Sequence, residues 1–577
     1  MDSRSAAHVL SQIGALLEVK GEHKFKARAY AGAARALVAL DTDDLAPLLK
    51  SGEIAGTSGI GPATLAVVRE LIETGESSYL AKLQEGMPSG FIDLMRVPGL
   101  GAAKVQLIHR ELGVETVADL EAAAQDGRLA TLPRFGAKTA ERILKGIAVM
   151  RRHAHLTRFP EAAIAAHVIL ASVRKHPQVK SAEITGSIRR HNEVVADIDI
   201  AMECTGDPAG IAASFGRVPG VASATPGEES GTIALLLVDG TRLDLHCARE
   251  DEYPVALWRS TGSAAHVDAV IEHAKATGFR ISGNRLEREN GKAVALTGED
   301  GFFTALGLQS IPPEMREGMG EVEAAAQNSL PELVTYADLR GILHCHSTWS
   351  DGTATIAEMA DAARERGWSY IGISDHSEAA FYAGGIKRDR IGAQHDEIDA
   401  LNEGYSDFRI LKGIEADILA DGRVDYDAET LARFDYVIGS IHSRFSMDGD
   451  EMTRRVLAAL DDPHLTILAH PTGRLLLTRE PYALDVEAVI ARATERGVAV
   501  ELNADPHRLD LDWRYCRMAR EAGTMVEIGP DAHSTASLDN VHFGIGLARK
   551  AWLGAPAILN TRTAEGVTAF ARERRAR

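Results

Sequence analysis

The spacing of apolar residues changes twice along this 577-residue chain. Up to residue 158 they recur every three or four positions, as in Val9 to Val19 and Leu65 to Ile72, which is typical of amphipathic helices. From Glu183 short apolar runs predict strands, and from Tyr336 strands alternate with helical stretches. Because a single core rarely grows beyond about 250–300 residues, the three patterns predict a multidomain protein.

The middle segment is predicted to hold a sheet with helices. Its strands are expected at Ile198 to Met202, Ile233 to Val238 and Leu243 to His246. Asp239-Gly240 is a typical hairpin turn between the last two.

The last segment is predicted to be a parallel, barrel-like α/β unit. Short strands at Tyr370 to Ile373 and Val498 to Leu502 alternate there with helical stretches. The proline-bearing runs Ile311-Pro312-Pro313 and Leu330-Pro331-Glu332 predict a helix-poor linker before it.

The net charge of −19 at first disfavours a nucleic acid partner. The charge is uneven, however, because residues 1–158 carry 20 basic and 18 acidic residues, whereas the remainder carries 43 and 64. Carboxylates of the acidic part can serve as cation ligands, and bound cations reverse the local sign. Whole-chain charge therefore does not identify the partner.

Cysteine usage and hydropathy indicate the compartment. The four cysteines form no C-x-x-C pair, so neither a disulfide framework nor a thiolate zinc site is indicated. No apolar run approaches the ~18 residues of a membrane span, and no signal peptide pattern begins the chain. We expect a cytoplasmic protein without a membrane partner.

A glycine motif recurs between the N-terminal helices. The copies are Ser58-Gly59-Ile60-Gly61-Pro62, Val97-Pro98-Gly99-Leu100-Gly101 and Leu132-Pro133-Arg134-Phe135-Gly136. Each copy opens a helix whose first N–H groups can hold a phosphate, so three spaced copies favour DNA backbone binding over ordinary turns. The predicted DNA contacts are Gly59, Gly61, Gly99, Gly101, Lys104, Gly136 and Lys138.

Three carboxylates of the middle segment are predicted to meet. Asp197 and Asp199 are two residues apart on one strand and share a face, and Asp244 lies on the neighbouring strand. Such a triad suits two Mg²⁺ or Mn²⁺ ions that activate a hydroxyl and neutralise pyrophosphate. Upstream, Ser187 and Arg190 offer a hydroxyl and a guanidinium for a triphosphate.

Histidines and carboxylates mark the predicted strand ends of the last segment. Mixed imidazole and carboxylate donors suit Mn²⁺, Zn²⁺ or Fe, and clustered metals with open positions hydrolyse phosphoesters. The candidate ligands are His344, His346, Asp351, His376, Glu415, His442, His470, Asp531 and His533.

These motifs resemble two known families. Gly186-Ser187 followed by Asp-x-Asp, with Phe25-Lys26-Ala27-Arg28-Ala29-Tyr30 and Thr261-Gly262-Ser263, resembles family X DNA polymerases, the family of polymerase beta. The glycine turns resemble helix-hairpin-helix motifs. Leu343-His344-Cys345-His346 and Pro530-Asp531-Ala532-His533 resemble the polymerase and histidinol phosphatase (PHP) domain. The order is similar to that of bacterial and archaeal family X members with a C-terminal PHP domain.

The resemblance implies a domain plan and a fold class. The expected domains are a lyase-like helical domain (1–80), fingers with helix-hairpin-helix motifs (81–158), a nucleotidyltransferase palm (159–250), a thumb (251–310), a linker (311–335) and the PHP domain (336–577). The fold class is therefore α-helical N-terminal domains, an α+β palm and thumb, and a distorted β/α barrel.

The resemblance also assigns roles to residues. Gly262 joins Ser187 and Arg190 as a nucleotide contact. The PHP domain is expected to hold three metals: one on His344, His346, Glu415 and Asp531, a second on Glu415, His442 and His470, and a third on Asp351, His376 and His533.

Three departures from the family pattern concern the polymerase half. Arg259-Ser260 stands where the family has an aromatic pair that screens the nucleotide sugar, so a change in sugar selection or in nucleotide binding is expected. Ala196 replaces a glycine before the first aspartate, and Val67 stands where the family has its Schiff-base lysine.

The implied function is a monomeric DNA polymerase that fills short gaps during repair, with a 3′-5′ exonuclease in the PHP domain. Its substrates would be gapped or primer-template DNA and deoxynucleoside triphosphates. One alternative is a DNA end-processing nuclease whose polymerase half only holds DNA. Another is a small-molecule phosphoesterase, which would leave the hairpins and the aspartate triad without a use.

Overall fold

A computed structural model describes residues 6–7, 9–10, 13–14, 16–17, 24–39, 45–57, 59–74, 77–84, 90–91, 94, 97, 100, 102–133, 135–153, 155–218, 220–227, 231–238 and 240–576. The chain forms two compact units, residues 1–154 with 477–479, and residues 155–476 with 480–577. Among the described residues no helix is both long and apolar enough to cross a membrane.

The first unit is helical where it is described. Leucine, isoleucine and alanine side chains at helical spacing form one core over residues 6–83 and a second over residues 91–147. The helices are α1 (Lys24–Ala39), α2 (Ala46–Ser51), α3 (Glu53–Gly56), α4 (Pro62–Thr74), α5 (Ser78–Gln84), α6 (Ala102–Leu112), α7 (Val117–Gln125) and α8 (Ala137–Arg152).

The segment predicted to be the palm, for which that name is kept below, begins the second unit and contains a five-stranded sheet. Its elements are β1 (Thr157–Arg158), α9 (Phe159–Val173), β2 (Val179–Ile184), α10 (Gly186–Arg189), β3 (Val194–Val195), β4 (Ile198–Cys204), α11 (Pro208–Phe215), β5 (Val221–Pro226), β6 (Thr232–Leu237) and β7 (Arg242–Arg249). The strand order is β2-β4-β7-β6-β5, and β4 runs parallel to β7.

All three strands predicted in the palm are confirmed. β6 and β7 pair antiparallel around a tight turn in which Gly240 has φ 88° and donates its N–H to the Leu237 carbonyl. Asp239 of that turn lies outside the described residues. Isoleucines 198 and 200 are buried while Asp199 between them is not, so the alternation of β4 separates core from site.

The thumb and the segment after it share one core. Their elements are α12 (Tyr253–Thr261), α13 (Ala264–Ala276), β8 (Phe279–Ser282), β9 (Arg285–Arg288), α14 (Gly298–Ala305) and α15 (Glu321–Ala326). Residues 311–335, predicted as a helix-poor linker, contain α15 and bury Ile311, Met315 and Val322 against thumb side chains. The prolines therefore mark turns within a packed segment.

The last part of the chain is a parallel β/α barrel. It consists of β10 (Gly341–Ile342), α16 (Ile356–Glu365), β11 (Tyr370–Ile373), α17 (Ile391–Glu403), β12 (Arg409–Asp417), α18 (Ala428–Leu431), β13 (Tyr436–Ser440), α19 (Gly449–Leu460), β14 (Ile467–Leu468), α20 (Val486–Arg496), β15 (Ala499–Asn503), α21 (Trp513–Ala522), β16 (Val526–Gly529), α22 (Val541–Lys550) and α23 (Ala564–Ala576).

The seven barrel strands lie in sequence order, and each pairs parallel with the next. The N–H of His346 donates to the Ala532 carbonyl, and the N–H of Ala532 donates to the His344 carbonyl, so the segments after β10 and β16 nearly close the ring. The strands are buried almost throughout, as expected for parallel strands inside helices. Their carboxyl ends consequently meet at one face.

Polar contacts join the palm to the barrel. Lys550, at the end of α22, is buried and donates to Asn192 Oδ1 at 2.8 Å and to the Arg190 carbonyl at 3.1 Å. Arg474 Nη2 lies 3.2 Å from Glu193 Oε1. Buried charges need partners, so these contacts hold the loop after α10 against the barrel.

Candidate metal centres

Nine histidine and carboxylate side chains converge at the carboxyl ends of the barrel strands. Glu415 lies near the end of β12, and the others follow strands β10, β11, β13, β14 and β16. They are the residues predicted from the sequence: His344, His346, Asp351, His376, Glu415, His442, His470, Asp531 and His533.

Glu415 occupies the middle of this cluster and is fully buried. Its Oε1 lies 3.3 Å from His442 Nε2 and 3.1 Å from His470 Nε2. Its Oε2 lies 3.5 Å from His344 Nε2, 3.6 Å from His346 Nε2 and 2.9 Å from His376 Nδ1. One carboxylate thus faces five imidazoles, and together with them it would hold bound cations.

Asp531 and Asp351 are the other two carboxylates of the cluster. Asp531 Oδ1 lies 3.4 Å from His346 Nε2 and 3.7 Å from His344 Nε2. Asp351 Oδ1 lies 3.4 Å from His533 Nε2 and 3.6 Å from His376 Nε2. Within the described part of the chain, three groups have all ligand atoms within 4.8 Å: His346, Asp351, His376 and His533; His344, His346 and Asp531; and His376, Glu415 and His442.

Unsatisfied polar atoms test whether cations fit this cluster. His344 Nε2, His346 Nε2 and Glu415 Oε2 are buried and have no hydrogen-bond partner among the described residues. A buried polar atom left unpaired is costly, and these atoms point toward one another. Imidazole nitrogens with carboxylate oxygens suit Zn²⁺, Mn²⁺ or Fe, so the donor set fits bound metal.

Residues around the ligands were not predicted. Glu501 of β15 is buried with its Oε1 2.5 Å from His344 Nδ1, and Asp417 Oδ1 lies 2.9 Å from His442 Nδ1. Each carboxylate fixes the ring nitrogen that faces away from the cluster, as in carboxylate-histidine-metal arrangements. The acidic Glu501 in the apolar run Val498 to Leu502 was the available signal.

Arg508 is a cation beside these anionic ligands. Its Nε lies 3.4 Å from Asp531 Oδ2, and its side chain is only partly exposed. A guanidinium there can hold a phosphate oxygen as well as a carboxylate. No sequence motif had pointed to this residue.

The imidazoles of His442 and His533 should make metal binding depend on pH. Burial lowers the pKa of His442, but Glu415 and Asp417 outweigh it and raise the pKa to about 9. For His533, the contacts with Asp351 and Asp531 likewise overcome burial and raise the pKa to about 9. Below pH 9 metals must displace these protons, because they bind neutral imidazole.

We therefore expect Mn²⁺ affinity at the barrel to rise with pH between 6 and 9, by about tenfold per pH unit for each proton released. Titration calorimetry at pH 7.5 in buffers of different ionisation enthalpy would count the protons. Release of one to two protons is expected, whereas binding without proton release would contradict it.

Two of the three palm carboxylates lie on the parallel strands β4 and β7. Asp199 on β4 is the register partner of Asp244 on β7, whereas Asp197 lies just before β4. Burial and the charge of Asp199 raise the pKa of both Asp197 and Asp244, so the three carboxylates repel one another. In the described chain, no group of three palm ligands comes within 4.8 Å. The triad is more open than the barrel cluster.

His246 also lies in this site, although no sequence motif points to it. Its Nε2 is 3.4 Å from Asp199 Oδ1. The alternation of β7 places His246 on the same face as Asp244, which the sequence could have indicated.

The first residue of α10, Gly186, packs directly on one of the palm carboxylates, Asp199. Gly186 has φ 60°, and a Cβ there would lie 1.8 Å from Asp199 Oδ2, so only glycine fits. The next residue, Ser187, has a buried hydroxyl without a hydrogen-bond partner among the described residues. A hydroxyl left unpaired beside the triad supports its assignment to a triphosphate.

The structure places Arg190, one predicted nucleotide contact, against the turn that contains Gly262, another predicted contact. Arg190 Nε donates to Glu317 Oε1 at 2.8 Å, and its Nη1 donates to the Thr261 carbonyl at 2.8 Å. Gly262 ends α12, and a Cβ there would lie 2.6 Å from the His266 ring. The guanidinium thus positions the Thr261-Gly262 turn, and a triphosphate would have to compete with Glu317 for it.

A cavity of about 340 Å³ lies between the palm sheet and the thumb. It is lined by Asp244, Arg259, Ser260 and Asn284, among others. Arg259 Nη2 donates to the Gly283 carbonyl in the turn between β8 and β9 at 2.6 Å. Arg259, which stands where family X polymerases have part of their aromatic pair, therefore lies against the thumb hairpin.

The predicted DNA-binding turns lie at helix starts in the first unit. Gly59 has φ 91° and precedes Gly61 and α4, and Gly136 is the residue before α8. Lys138 is exposed in the first turn of α8, and Lys104 Nζ lies 5.9 Å from the centre of the Phe135 ring. Gly99 and Gly101 fall outside the described residues.

A relative of known name shows to which family the chain belongs. The chain is 36% identical over 574 residues, 99% of either protein, to the DNA polymerase/3′-5′ exonuclease PolX of Bacillus subtilis. The chain belongs to the PolX family. The predicted resemblance is thereby confirmed over nearly the whole length.

Family models match successive parts of the chain. A helix-hairpin-helix domain matches residues 1–77, a SAM-like helix-hairpin-helix tandem 91–148, a DNA polymerase beta thumb 256–317, and a PHP domain 343–505. These matches confirm the predicted fold class. The thumb match continues past residue 310, in keeping with the packed segment observed there.

The barrel of the chain also resembles shorter proteins. It is 28% identical over 258 residues to a probable phosphatase of Caldanaerobacter subterraneus, covering 41% of the chain and 94% of that protein. A probable phosphatase of Thermoanaerobacter sp. is 26% identical over 236 residues, which is 38% of the chain and 89% of the relative. The barrel thus corresponds to proteins that exist without a palm.

Proposed function

We propose that the chain is a DNA-directed DNA polymerase that fills short gaps during DNA repair and a metal-dependent 3′-5′ exonuclease. The observation that carries this proposal is the presence of two separate polar centres, one carboxylate and one largely imidazole, in a PolX-family chain. We further propose that the enzyme is monomeric and cytoplasmic. The four buried cysteines form no disulfide, which suits the cytoplasm.

In the barrel, we assign the nine convergent side chains to a trinuclear site with Mn²⁺, Zn²⁺ or Fe. In the palm, we assign Asp197, Asp199 and Asp244 to Mg²⁺ or Mn²⁺. Cations held there would activate water in the barrel and a primer hydroxyl in the palm, and would neutralise phosphate charge. Asp417 and Glu501 fix the rings of His442 and His344, so these ligands are pre-oriented.

The proposed substrates are gapped or primer-template DNA and deoxynucleoside triphosphates. We assign the exposed helix starts after Gly59, Gly61 and Gly136 to the DNA backbone. The unpaired Ser187 hydroxyl supports a triphosphate beside the carboxylates.

A second candidate is an end-processing nuclease whose palm only holds DNA. The engagement of Arg190 by Glu317 and by the Thr261 carbonyl favours it, because a guanidinium already paired contributes less to a triphosphate. The open carboxylate triad points the same way.

One assay separates the two functions. A 5′-labelled primer on one-nucleotide-gapped DNA is incubated with Mn²⁺, with or without deoxynucleotides, using wild type, Asp244→Ala and His344→Ala. Extension should be lost only in Asp244→Ala and shortening only in His344→Ala, because the centres use different residues. Added ribonucleotides would report sugar selection at Arg259-Ser260.

Failure to extend under any divalent metal would favour the nuclease. Failure to shorten DNA, together with hydrolysis of phosphomonoesters, would overturn the exonuclease assignment. Asp268→Asn, an exposed change on α13, is the matched control and should leave both reactions unchanged.

A further inference from the structure

An exposed aromatic pair lies beside the barrel cluster. Phe381 is 86% exposed and Tyr382 59% exposed, and they are the aromatic members among the exposed large apolar side chains in the described chain. Both belong to a short 3₁₀ turn, Phe381–Ala383, in the loop that follows β11 and His376. A phenyl ring left in water forgoes the free energy gained by burial, so this exposure requires a reason.

Looseness of the loop does not explain the exposure. Ile386 donates its N–H to the His376 carbonyl at 2.8 Å, and Ala379 donates to Asp425 Oδ2 at 2.9 Å. The loop is so closely wound that a Cβ on Gly385 would lie 1.9 Å from the Ser377 carbonyl oxygen. The backbone is fixed at both ends, and it holds the two rings outward.

The rings stand next to candidate metal ligands. The Tyr382 ring centre lies 6.3 Å from that of His376 and 6.1 Å from that of His442. The Phe381 ring lies 6.1 Å farther along, nearly perpendicular to Tyr382. The aromatic surface therefore begins at the cluster and extends away from it.

Positive charges accompany the rings. Lys387, Arg388 and Arg390 are exposed directly after the loop, although Arg388 pairs with Asp427 at 2.7 Å. Arg508 lies at the cluster itself, beside Asp531. Aromatic side chains next to a basic segment are typical of surfaces that bind single-stranded nucleic acid, since bases stack on the rings and phosphates follow the cations.

We propose that Phe381 and Tyr382 form a stacking platform for the 3′-terminal nucleobase of single-stranded DNA. Stacking would place the last phosphodiester at the cluster, so the two side chains are positioning residues and take no part in bond cleavage. The inference rests on the proposed exonuclease, and it names the part of the substrate which that site recognises.

The test compares a DNA end that has a base with one that lacks it. Single-stranded oligothymidylate is labelled at its 5′ end and terminates in thymidine or in a tetrahydrofuran residue. Shortening in Mn²⁺ is measured for wild type, the double variant Phe381→Ala/Tyr382→Ala, and Tyr382→Phe. Val238→Ala, at a palm side chain that is 77% exposed, is the matched control.

Wild type should prefer the base-bearing end by about 5- to 140-fold in kcat/KM, the range of one stacked base. The double variant should reduce this ratio to about 1, chiefly by raising KM for the thymidine end. Tyr382→Phe and Val238→Ala should retain the wild-type ratio, because the platform requires the ring and the control is remote.

The outcomes distinguish failure of the stacking platform from failure of the proposed exonuclease. If wild type shortens neither oligonucleotide, the proposed exonuclease fails. If wild type shortens DNA but the double variant keeps the wild-type ratio, or loses equally on both ends, the platform is overturned. Mn²⁺ stoichiometry in the double variant, equal to wild type, would show that the cluster is intact.

Discussion

Replacing Glu415 with glutamine should abolish shortening of DNA 3′ ends, with kcat/KM reduced by at least about 1,000-fold. Both oxygens of Glu415 face imidazoles, with Oε1 3.1 Å from His470 Nε2 and Oε2 2.9 Å from His376 Nδ1. The amide has one acceptor and no charge, so it cannot bridge cations between these rings. Shortening of a 5′-labelled oligonucleotide in Mn²⁺ and metal content by mass spectrometry would measure the loss.

Two further variants make this result specific. Asp417→Asn, which acts through the ring of His442, should cost only about 10- to 100-fold, as outer carboxylates of metal sites do. Glu495→Gln is the same chemical change on the exposed face of α20 and should have no effect. Primer extension should persist in all three and report an intact fold. A Glu415→Gln enzyme with a tenth of wild-type activity would contradict the central role.

The barrel centre could be predicted because its fold turns sequence order into position. Parallel strands end at a single face, so a polar residue after each apolar run, as with His376, His442 and His470, must lie near the others. The His and Asp motifs identified the candidate ligands, and the parallel strand order predicted that they lie close together. The roles of Glu501 and Arg508 were not predicted, because their partners, His344 and Asp531, are close in space but distant in sequence.

The palm was harder to predict for the same physical reason. The Asp-x-Asp pattern correctly predicted the face of β4 on which Asp199 lies. It could not predict that Arg190 donates to Glu317, which is 127 residues away in the sequence. Lys550 of the barrel also approaches Glu317, so the state of a predicted nucleotide contact depends on a segment far along the chain. Local spacing carries no information about such a partner.

Composition predicted a linker after the thumb, whereas that segment is packed against its neighbours. Prolines 312, 313 and 331 are typical of linkers, yet Met315 and Val322 are buried and Glu314 pairs with Arg549 of α22 at 2.7 Å. Burial of this segment between thumb and barrel makes the second unit continuous. A physical link therefore exists through which the palm and barrel can influence one another's stability.

Asp199→Asn should have the second large effect, a loss of primer extension of at least about 1,000-fold. Asp199 pairs in register with Asp244, and its charge raises the pKa of both Asp197 and Asp244. A neutral amide there removes the middle carboxylate on which cation binding depends. Shortening of 3′ ends should remain within about twofold of wild type, since the barrel ligands are untouched.

Stability provides a readout that does not depend on activity. Burial and Asp199 hold the pKa of Asp197 and Asp244 above the unfolded value, so this repulsion destabilises the metal-free palm increasingly as pH rises through those pKa values. Asp199→Asn should therefore unfold in EDTA at pH 8 no earlier than wild type, and its advantage should shrink toward pH 4. Loss of extension with a lower Tm would indicate misfolding, whereas loss with an equal or higher Tm assigns the carboxylate to cation binding.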